Sequence, residues 1–537
     1  MKYTTLSTEG YENLMNQYGM SELVAKVCAA RKLSHEQIEE LTQSGELSDP
    51  FAANGLHSVI KRIQAAAVNK EKVLVCGDYD ADGICATTIL YDALRRYGIQ
   101  SGFYIPNRFQ EGYGLHPHTV EMAKEKGYSL LITVDNGVKA QEALKRCKEL
   151  GITSIVSDHH TIENDVDCDL LLHPQLMGEP FHYMCGAAVA LMISRALLGE
   201  VKEHVVLAAI ASIADVMPLW RETRKIVRLG IIYLREGYCL PIQCLCHDAH
   251  PNWDERLIAF QIVPKLNSTG RLADLVNVNN TVRYLLLKER KDILPVAAQI
   301  EALNQHRRTL STKMSEFAKT KLCLDQRFLV LADEQFHEGL IGIIAGKLCE
   351  EYHRPVAVFA LDGEIAKGSV RSCEEVDLRP LFAHCPVDLL AYGGHKAAAG
   401  ISLSVDKLPQ LSDYLQEQMN TLPRKESEYE EEVISITMAE LQIDTVAELE
   451  HLAPFGEGFR KPLFCIEDFH VQTIRELSQG KHVKWESLEH VEALYFNARD
   501  VYAKYHDAKQ LTFFGHLAIN TFRHEKKVNI LVSDVIS

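Results

Sequence analysis

The segment "VLVCGDYDADGICATTIL", Val73 to Leu90, joins a short apolar run to a cluster of carboxylates. Val73–Cys76 reads as a buried strand. Asp78, Asp80 and Asp82 follow at spacings of two, then Gly83 and an apolar segment that reads as a helix from Ile84 to Tyr97. Strand, acidic turn and helix together open a βαβ unit. Three like charges at one strand end raise one another's pKa and cost stability unless a cation offsets them.

The alternation continues downstream. Gly102–Ile105, Leu130–Val134 and Thr153–Ser157 read as strands, Pro117–Lys126 and Gln141–Leu150 as helices. Such a pattern gives an α/β domain with a parallel sheet covered on both faces. Ligands of open parallel sheets sit beyond the carboxyl ends of the strands. Asp135 follows "LLITV", and Asp158-His159-His160 follow "TSIVS". Asp215, in "SIADVMPL", ends an apolar helix and supplies one more carboxylate. Carboxylate oxygen with some imidazole suits Mn²⁺ or Mg²⁺, and no thiolate is placed to favour zinc. Two such ions about 3.5–4 Å apart, bridged by one aspartate, form the clamp used in phosphoester hydrolysis.

A chain of 537 residues exceeds a single core, so several domains are expected. The texture divides it into an N-terminal segment (1–50), a parallel-sheet domain (51–235), a helical connector (236–325), a second α/β domain (326–425) and a small β-barrel (433–537). The start carries no apolar signal core and no run reaches bilayer length, which predicts a cytoplasmic chain without membrane contact. Its 14 Cys are then reduced thiols. "CLCHDAH", with Cys244, Cys246, His247 and His250, lacks a standard zinc spacing. The net charge of −16 taken alone argues against nucleic acid, but residues 261–330 carry 12 Lys+Arg against 6 Asp+Glu. Uneven placement of this kind outweighs the sum. "ESEYEEE", Glu426 to Glu432, reads as a solvated linker.

"DYDADG", the strand end at Asp135, "DHH" and "ADVMPL" resemble the four motifs of the DHH phosphoesterase superfamily. Further segments resemble its RecJ family of single-strand-specific 5′→3′ exonucleases. These are "PNRFQEGYGL", "PKLNSTGRLAD", "FHEGLIGIIAGKLCEEYHRPVAVF", "GSVRS", "YGGHKAAAG", "LAPFGEGFRKPLF" and "GKHVKW". The likeness runs from about Lys72 to the C-terminus. It implies a DHH domain, the helical connector, a DHH-associated domain and a C-terminal OB-fold barrel.

Carried over by motif, Asp80, Asp82, Asp135, His159 and Asp215 would be metal ligands, with Asp135 bridging two divalent ions, Mn²⁺ or Mg²⁺. Asp78, His160 and Arg271 would complete the catalytic group, His160 touching the scissile phosphate or orienting a ligand. Arg108, Tyr113, Ser369, Arg371, Gly393, Gly394 and His395 would hold the strand, guanidinium forks matching phosphate oxygens. The resemblance implies single-stranded DNA as substrate, 5′-mononucleotides as product and a role in DNA repair and recombination. It also implies a monomer, with a single-strand-binding protein and a helicase as partners. The chain departs from the family at "NSTGR", at Phe336 in place of Trp and at Phe459 in place of Asn. Two alternatives stand beside this reading. One is an oligonucleotide or cyclic-dinucleotide phosphodiesterase of the same superfamily, which usually lacks the OB-like tail. The other is a non-catalytic replication-scaffold relative, against which the intact acidic set speaks.

Overall fold

The computed structural model describes residues 2–43, 45–247, 251–373, 376–421, 430–522 and 525–537. The chain forms two compact units, one of Asp49–Asp215 with Leu229–Lys425, the other of Met1–Ser48, Val216–Arg228 and Glu426–Ser537.

The chain opens with strand β1 (Lys2–Thr5) and helices α1 (Tyr11–Tyr18), α2 (Glu22–Ala30) and α3 (His35–Thr42), which belong to the second unit. Ser34 and Gln37 form a reciprocal capping box that starts α3, satisfying two otherwise free donors.

The first unit begins at α4 (Leu56–Val68) and then alternates: β2 (Val73–Cys76), α5 (Ala81–Arg96), β3 (Ser101–Tyr104), α6 (Pro117–Glu125), β4 (Leu130–Val134), α7 (Gln141–Leu150), β5 (Thr153–Ser157) and β6 (Leu170–Leu172). The strands form an all-parallel sheet in the order β3-β2-β4-β5-β6. Every residue of β2 and β4 is buried, as a sheet covered on both faces requires. Helix α5 starts three residues before the Ile84 that apolar periodicity indicates. Asp80 caps it, its Oδ1 accepting from the Gly83 N–H at 3.0 Å, so Asp82 lies in the first helical turn. Helices α8 (Gly186–Leu198) and α9 (Lys202–Ala214) are rich in Ala and almost wholly buried, and both pack against α5.

A turn of π-helix, Ile258–Ile262, leads into α10 (Val263–Arg271), and α11 (Arg290–Thr320) runs for 31 residues. A second sheet follows. It contains β7 (Leu329–Asp333), β8 (Val356–Asp362), β9 (Ile365–Arg371), β10 (Ala391–Gly394) and β11 (Ala398–Ser404), in the order β10-β11-β9-β8-β7. Helix α12 (Ile341–Tyr352) connects β7 to β8, the parallel pair, and the other pairs are antiparallel. Phe336 is buried, edge-on to Phe317. His247 pairs with Glu301 at 3.3 Å, and His250 lies outside the described residues.

The second unit resumes with β12 (Glu430–Ile436), β13 (Phe464–Leu477), β14 (His482–Ser487), β15 (Glu492–Tyr495), β16 (Gln510–Phe522) and β17 (Glu525–Ile536). Pairing in the order β13-β14-β15-β17-β16, closed by β16 on β13, makes a five-stranded barrel. Strand β12 extends it, and β1 pairs with β12 in parallel, Lys2 opposite Glu430. The acidic run therefore contributes to structure. Glu430–Glu432 open β12, Glu430 pairing with Lys2 at 3.3 Å, while the part before Glu430 lies outside the described residues.

Phe464, Phe469, Trp485 and Phe513 fill the barrel and share one core with Leu23, Val24 and Val27 of α2. These aromatics are 0% exposed and cannot stack on bases. Phe496, beside His482, is 52% exposed. Phe459, at the family's Asn position, is buried beneath the guanidinium groups of Arg31 and Arg224. That arrangement makes it a cation–π anchor. Among the described residues, no helix is long and apolar enough to cross a membrane.

Candidate metal centre and phosphate cleft

The carboxyl edge of the parallel sheet gathers the acidic motifs. Asp78 and Asp82 are 2% and 1% exposed, and Asp135 is 2% exposed. Three groups of potential ligand atoms each fall within 4.8 Å of one another: Asp78, Asp80 and Asp135; Asp82, His159 and Asp215; and Asp135, His159 and His160. His159 Nε2 lies 3.1 Å from Asp135 Oδ1, 3.5 Å from Asp215 Oδ2 and 3.6 Å from Asp82 Oδ2. Asp135 and His159 thus join the two acidic pockets.

Among the described residues, three of the buried candidate ligand atoms make no hydrogen bond: Asp78 Oδ1, Asp135 Oδ1 and His159 Nε2. Burial first, and neighbouring carboxylates second, raise the pKa of Asp78, Asp80 and Asp135, and that of Asp215 to about 8. Unpartnered lone pairs and mutual repulsion are what divalent cations relieve. Burial holds the nearby thiols of Cys85 and Cys185 protonated, leaving an oxygen and imidazole donor set. These residues fit hard divalent ions.

The fold sets this geometry at high precision. Both Asp82 carboxylate oxygens accept from the first N–H groups of α8, Gly186 and Ala187, at 2.7 Å each. A helix N-terminus is a natural seat for that negative charge. A Cβ at Gly186 would lie 2.5 Å from Asp135 Cβ, so only glycine lets α8 approach so closely. Asp135 itself sits at φ +62°, a left-handed conformation that bears strain in a non-glycine residue. Asp158 is the organiser of the "DHH" turn. Its Oδ1 accepts from His159 N at 2.7 Å, His160 N at 3.2 Å and His160 Nδ1 at 2.8 Å; its Oδ2 accepts from Val138 N at 3.0 Å. Burial opposes ionisation of both partners, yet the hydrogen bond and mutual charge lower the Asp158 pKa and lift that of His160 to about 9. The Tyr113 hydroxyl donates to the Asp135 carbonyl at 3.1 Å and lies 3.2 Å from His160 Nδ1.

Two clefts of the same unit meet here. One, of about 750 Å³, is lined by Tyr79, Tyr113, Asp158, His160, Gly393, Gly394 and Gly400 among others. The second, of about 380 Å³, contains Arg108, Arg271, Lys367, Ser369, Arg371, Gly393 and Gly400. Arg371 donates to Ser369 Oγ at 3.0 Å, and Arg108 lies over the Tyr79 ring. Burial and then the charges of Arg108 and Arg307 pull the Arg271 pKa down to about 10. Crowded guanidinium groups of this kind call for anions. His395 sits within electrostatic reach of Lys139 and His160.

The sequence-derived candidates fall at the acidic edge or along these clefts, except His395, which lines neither cleft. Several neighbours carry no mark of this role in the sequence. The Asn267 side chain accepts from the Ala81 N–H at 2.8 Å, and Arg307 of α11 lies within electrostatic reach of Arg271. A Cβ at Gly270 would meet Tyr79 O at 2.1 Å, and one at Gly339 would meet Arg271 O at 1.8 Å. Glycines inside "STGR" and "HEGL" were visible signals of such close approach; nothing local marked Gly186.

Residues 72–217 match the DHH family N-terminal domain, 325–421 the DHHA1 domain and 434–534 the RecJ OB domain. The chain is 32% identical to the single-stranded-DNA-specific exonuclease RecJ of Bacillus subtilis (strain 168), over 97% of this chain and 69% of that one. It is 29% identical to the protein of that name from Haemophilus influenzae, over 96% of both. The crystal structure of RecJ in complex with Mn²⁺ from Thermus thermophilus matches with a TM-score of 0.85 and 25% identity, covering 100% of this chain and 79% of that one. Acidic edge, arginine cleft, ordered domains and a likeness that spans 97% of this chain agree: the chain belongs to the RecJ family of DHH phosphoesterases.

Proposed function

We propose that this chain hydrolyses single-stranded DNA from its 5′ end, releasing 5′-mononucleotides with the help of two divalent ions, Mn²⁺ or Mg²⁺. The carrying observation is the set of buried atoms on Asp78, Asp135 and His159 that make no hydrogen bond, converging from three strand ends beside a cleft lined with arginines. Asp78 and Asp80 hold one ion, Asp82, His159 and Asp215 the other, and Asp135 serves both. Bound there, the ions acidify water and neutralise charge on the phosphate.

The chain's own residues supply the rest. Asp158 keeps His160 protonated and aimed, so that a cation faces the scissile phosphate. Tyr113, tied to the Asp135 carbonyl, packs beside the terminal nucleotide and fixes the His160 ring. Arg108, Arg271 and Arg371, with Ser369, grip successive phosphates, and Arg307 adds to their field. Gly393, Gly394 and Gly400 let the backbone of the strand pass close, with His395 beside it. Residues 430–537 carry 18 Asp+Glu against 11 Lys+Arg, so the barrel's role in holding DNA falls to particular side chains such as Phe496 rather than to net charge.

The test is degradation of 5′- and 3′-labelled single strands and matched duplex with Mn²⁺, alongside Asp135→Ala. Release of labelled mononucleotide from the 5′ end of single strands alone, abolished by the variant, is expected. Equal activity on duplex, or activity of the variant within a fewfold of the parent, would overturn the reading.

A further inference from the structure

Away from the acidic edge, a second polar network lies buried between helices. His204 of α9 is 2% exposed. Its Nδ1 lies 2.7 Å from Ser194 Oγ of α8, and its Nε2 lies 2.9 Å from Asp92 Oδ2 of α5. His204 and Asp92 border a cleft of about 210 Å³, but Ser194 is 0% exposed, so the array has the donor order of a nucleophilic triad without an accessible nucleophile. Arg96 closes the network, its Nε 2.7 Å from Asp92 Oδ2. With Nε2–H donating to the carboxylate, Nδ1 accepts from the serine hydroxyl, and a neutral imidazole satisfies both partners. Glu203 also acts on His204, and Lys288 on Asp92.

The three helices joined here are those that build the acidic edge at their other ends. Helix α5 starts at Asp80 and Asp82, α8 starts with the N–H pair that holds Asp82, and α9 ends at Asp215. At 1.5 Å per residue, the bridge lies about 15 Å from Asp82, about 12 Å from Gly186 and about 16 Å from Asp215. Helices α5, α8 and α9 meet through apolar faces rich in alanine, whose burial is non-directional. A directional hydrogen-bonded bridge fixes their axial register, because each bond fails when its partner shifts by a fraction of an ångström.

We propose that His204 is a positioning residue for the metal centre, its two ring nitrogens locking the register of α5, α8 and α9 so that Asp82 and Asp215 meet His159. This rests on the two-ion reading given above. Outer supports of metal ligands govern affinity by about 10–100-fold, and the low end suits a support at this distance.

The experiment measures Mn²⁺ binding to the full chain by electron paramagnetic resonance of the free ion, with kcat, KM for a single-stranded oligonucleotide and Tm measured in parallel. The variants are His204→Leu, His204→Asn and His204→Gln. Asparagine keeps a group near the Nδ1 position toward Ser194, and glutamine one near Nε2 toward Asp92. His204→Leu is expected to bind Mn²⁺ about tenfold more weakly with KM changed less than twofold, each amide variant recovering part of the loss. If Mn²⁺ binding and kcat of His204→Leu stay within twofold of the parent, the inference is wrong, even where Tm falls. If His204→Leu does not fold, Ser194→Ala decides, a threefold or greater weakening supporting the bridge and a smaller change overturning it. Parent protein that binds no Mn²⁺ would instead refute the metal reading.

Discussion

Gly186→Ala tests how tightly the fold holds the acidic edge. The added Cβ would lie 2.5 Å from Asp135 Cβ, 2.7 Å from its Oδ1 and 2.8 Å from its Cα. Carbon atoms in contact settle at about 3.5–4.0 Å, so α8 and Asp135 must part by about 1 Å. Neither can yield freely. Asp135 ends a buried strand at φ +62°, and the Gly186 N–H is bonded to Asp82 at 2.7 Å. A displacement of about 1 Å at reacting groups costs about 100-fold in rate. Overpacking costs about 1–3 kcal/mol, offset in part by the better helix propensity of alanine, worth up to about 1 kcal/mol. The substitution should therefore lower kcat about 100-fold while lowering stability by about 2 kcal/mol or less. Gly346→Ala is the control, since a Cβ there meets nothing within 4 Å; it should keep full activity with equal or higher Tm. Single-turnover hydrolysis of a labelled strand and thermal unfolding read both quantities. A Gly186→Ala enzyme with kcat within threefold of the parent would show that α8 and Asp135 can part without disturbing the acidic edge.

Three further outcomes are expected. Asp158→Asn places an amide where Oδ1 or Oδ2 accepts N–H bonds, so kcat should fall about 10–100-fold, and the His160 pKa, followed by NMR, should drop below about 9; an unchanged pKa would disprove the pairing. Arg371→Ala should weaken single-strand binding by about 10–100-fold, as loss of a charge-assisted hydrogen bond of about 1.5–3 kcal/mol requires, and reduce the salt slope by about one, with Mn²⁺ binding unaltered; unchanged DNA affinity would count against the cleft. Metal-free protein should lose stability as pH rises. The folded-state pKa of Asp215 is raised from 3.8 to about 8, so its favourable term is present below the unfolded value and lost as pH climbs through about 8. Mn²⁺ should restore Tm most at the alkaline end, and a Tm gain independent of pH would contradict this.

Much of this architecture was legible in the sequence. Where apolar runs ended in Asp78, Asp135 and Asp158, period and punctuation agreed, and the strands formed within a residue or so of their expected limits. Helix α5 began earlier than its apolar pattern because capping by Asp80, a polar effect, set the start. The roles of Gly186, Asn267 and Arg307 were hidden because each acts on a residue more than 30 positions away, and only the fold makes them neighbours. The joining of β1 to β12 was hidden for the same reason, since Lys2 and Glu430 are distant in the sequence and only the fold pairs them. The barrel's aromatics illustrate the converse. Their presence fits an OB fold, but burial of Trp485, Phe469 and Phe513 assigns them to the core, which composition alone does not distinguish from a stacking surface.

We propose two ions that share Asp135 where the two acidic pockets meet. Mn²⁺ titration of the parent and of Asp135→Ala, followed by electron paramagnetic resonance, tests this most directly. The expected result is two ions per parent chain with the signal of a magnetically coupled pair, and loss of that coupling in the variant. One ion per chain, or two that show no coupling, would contradict it.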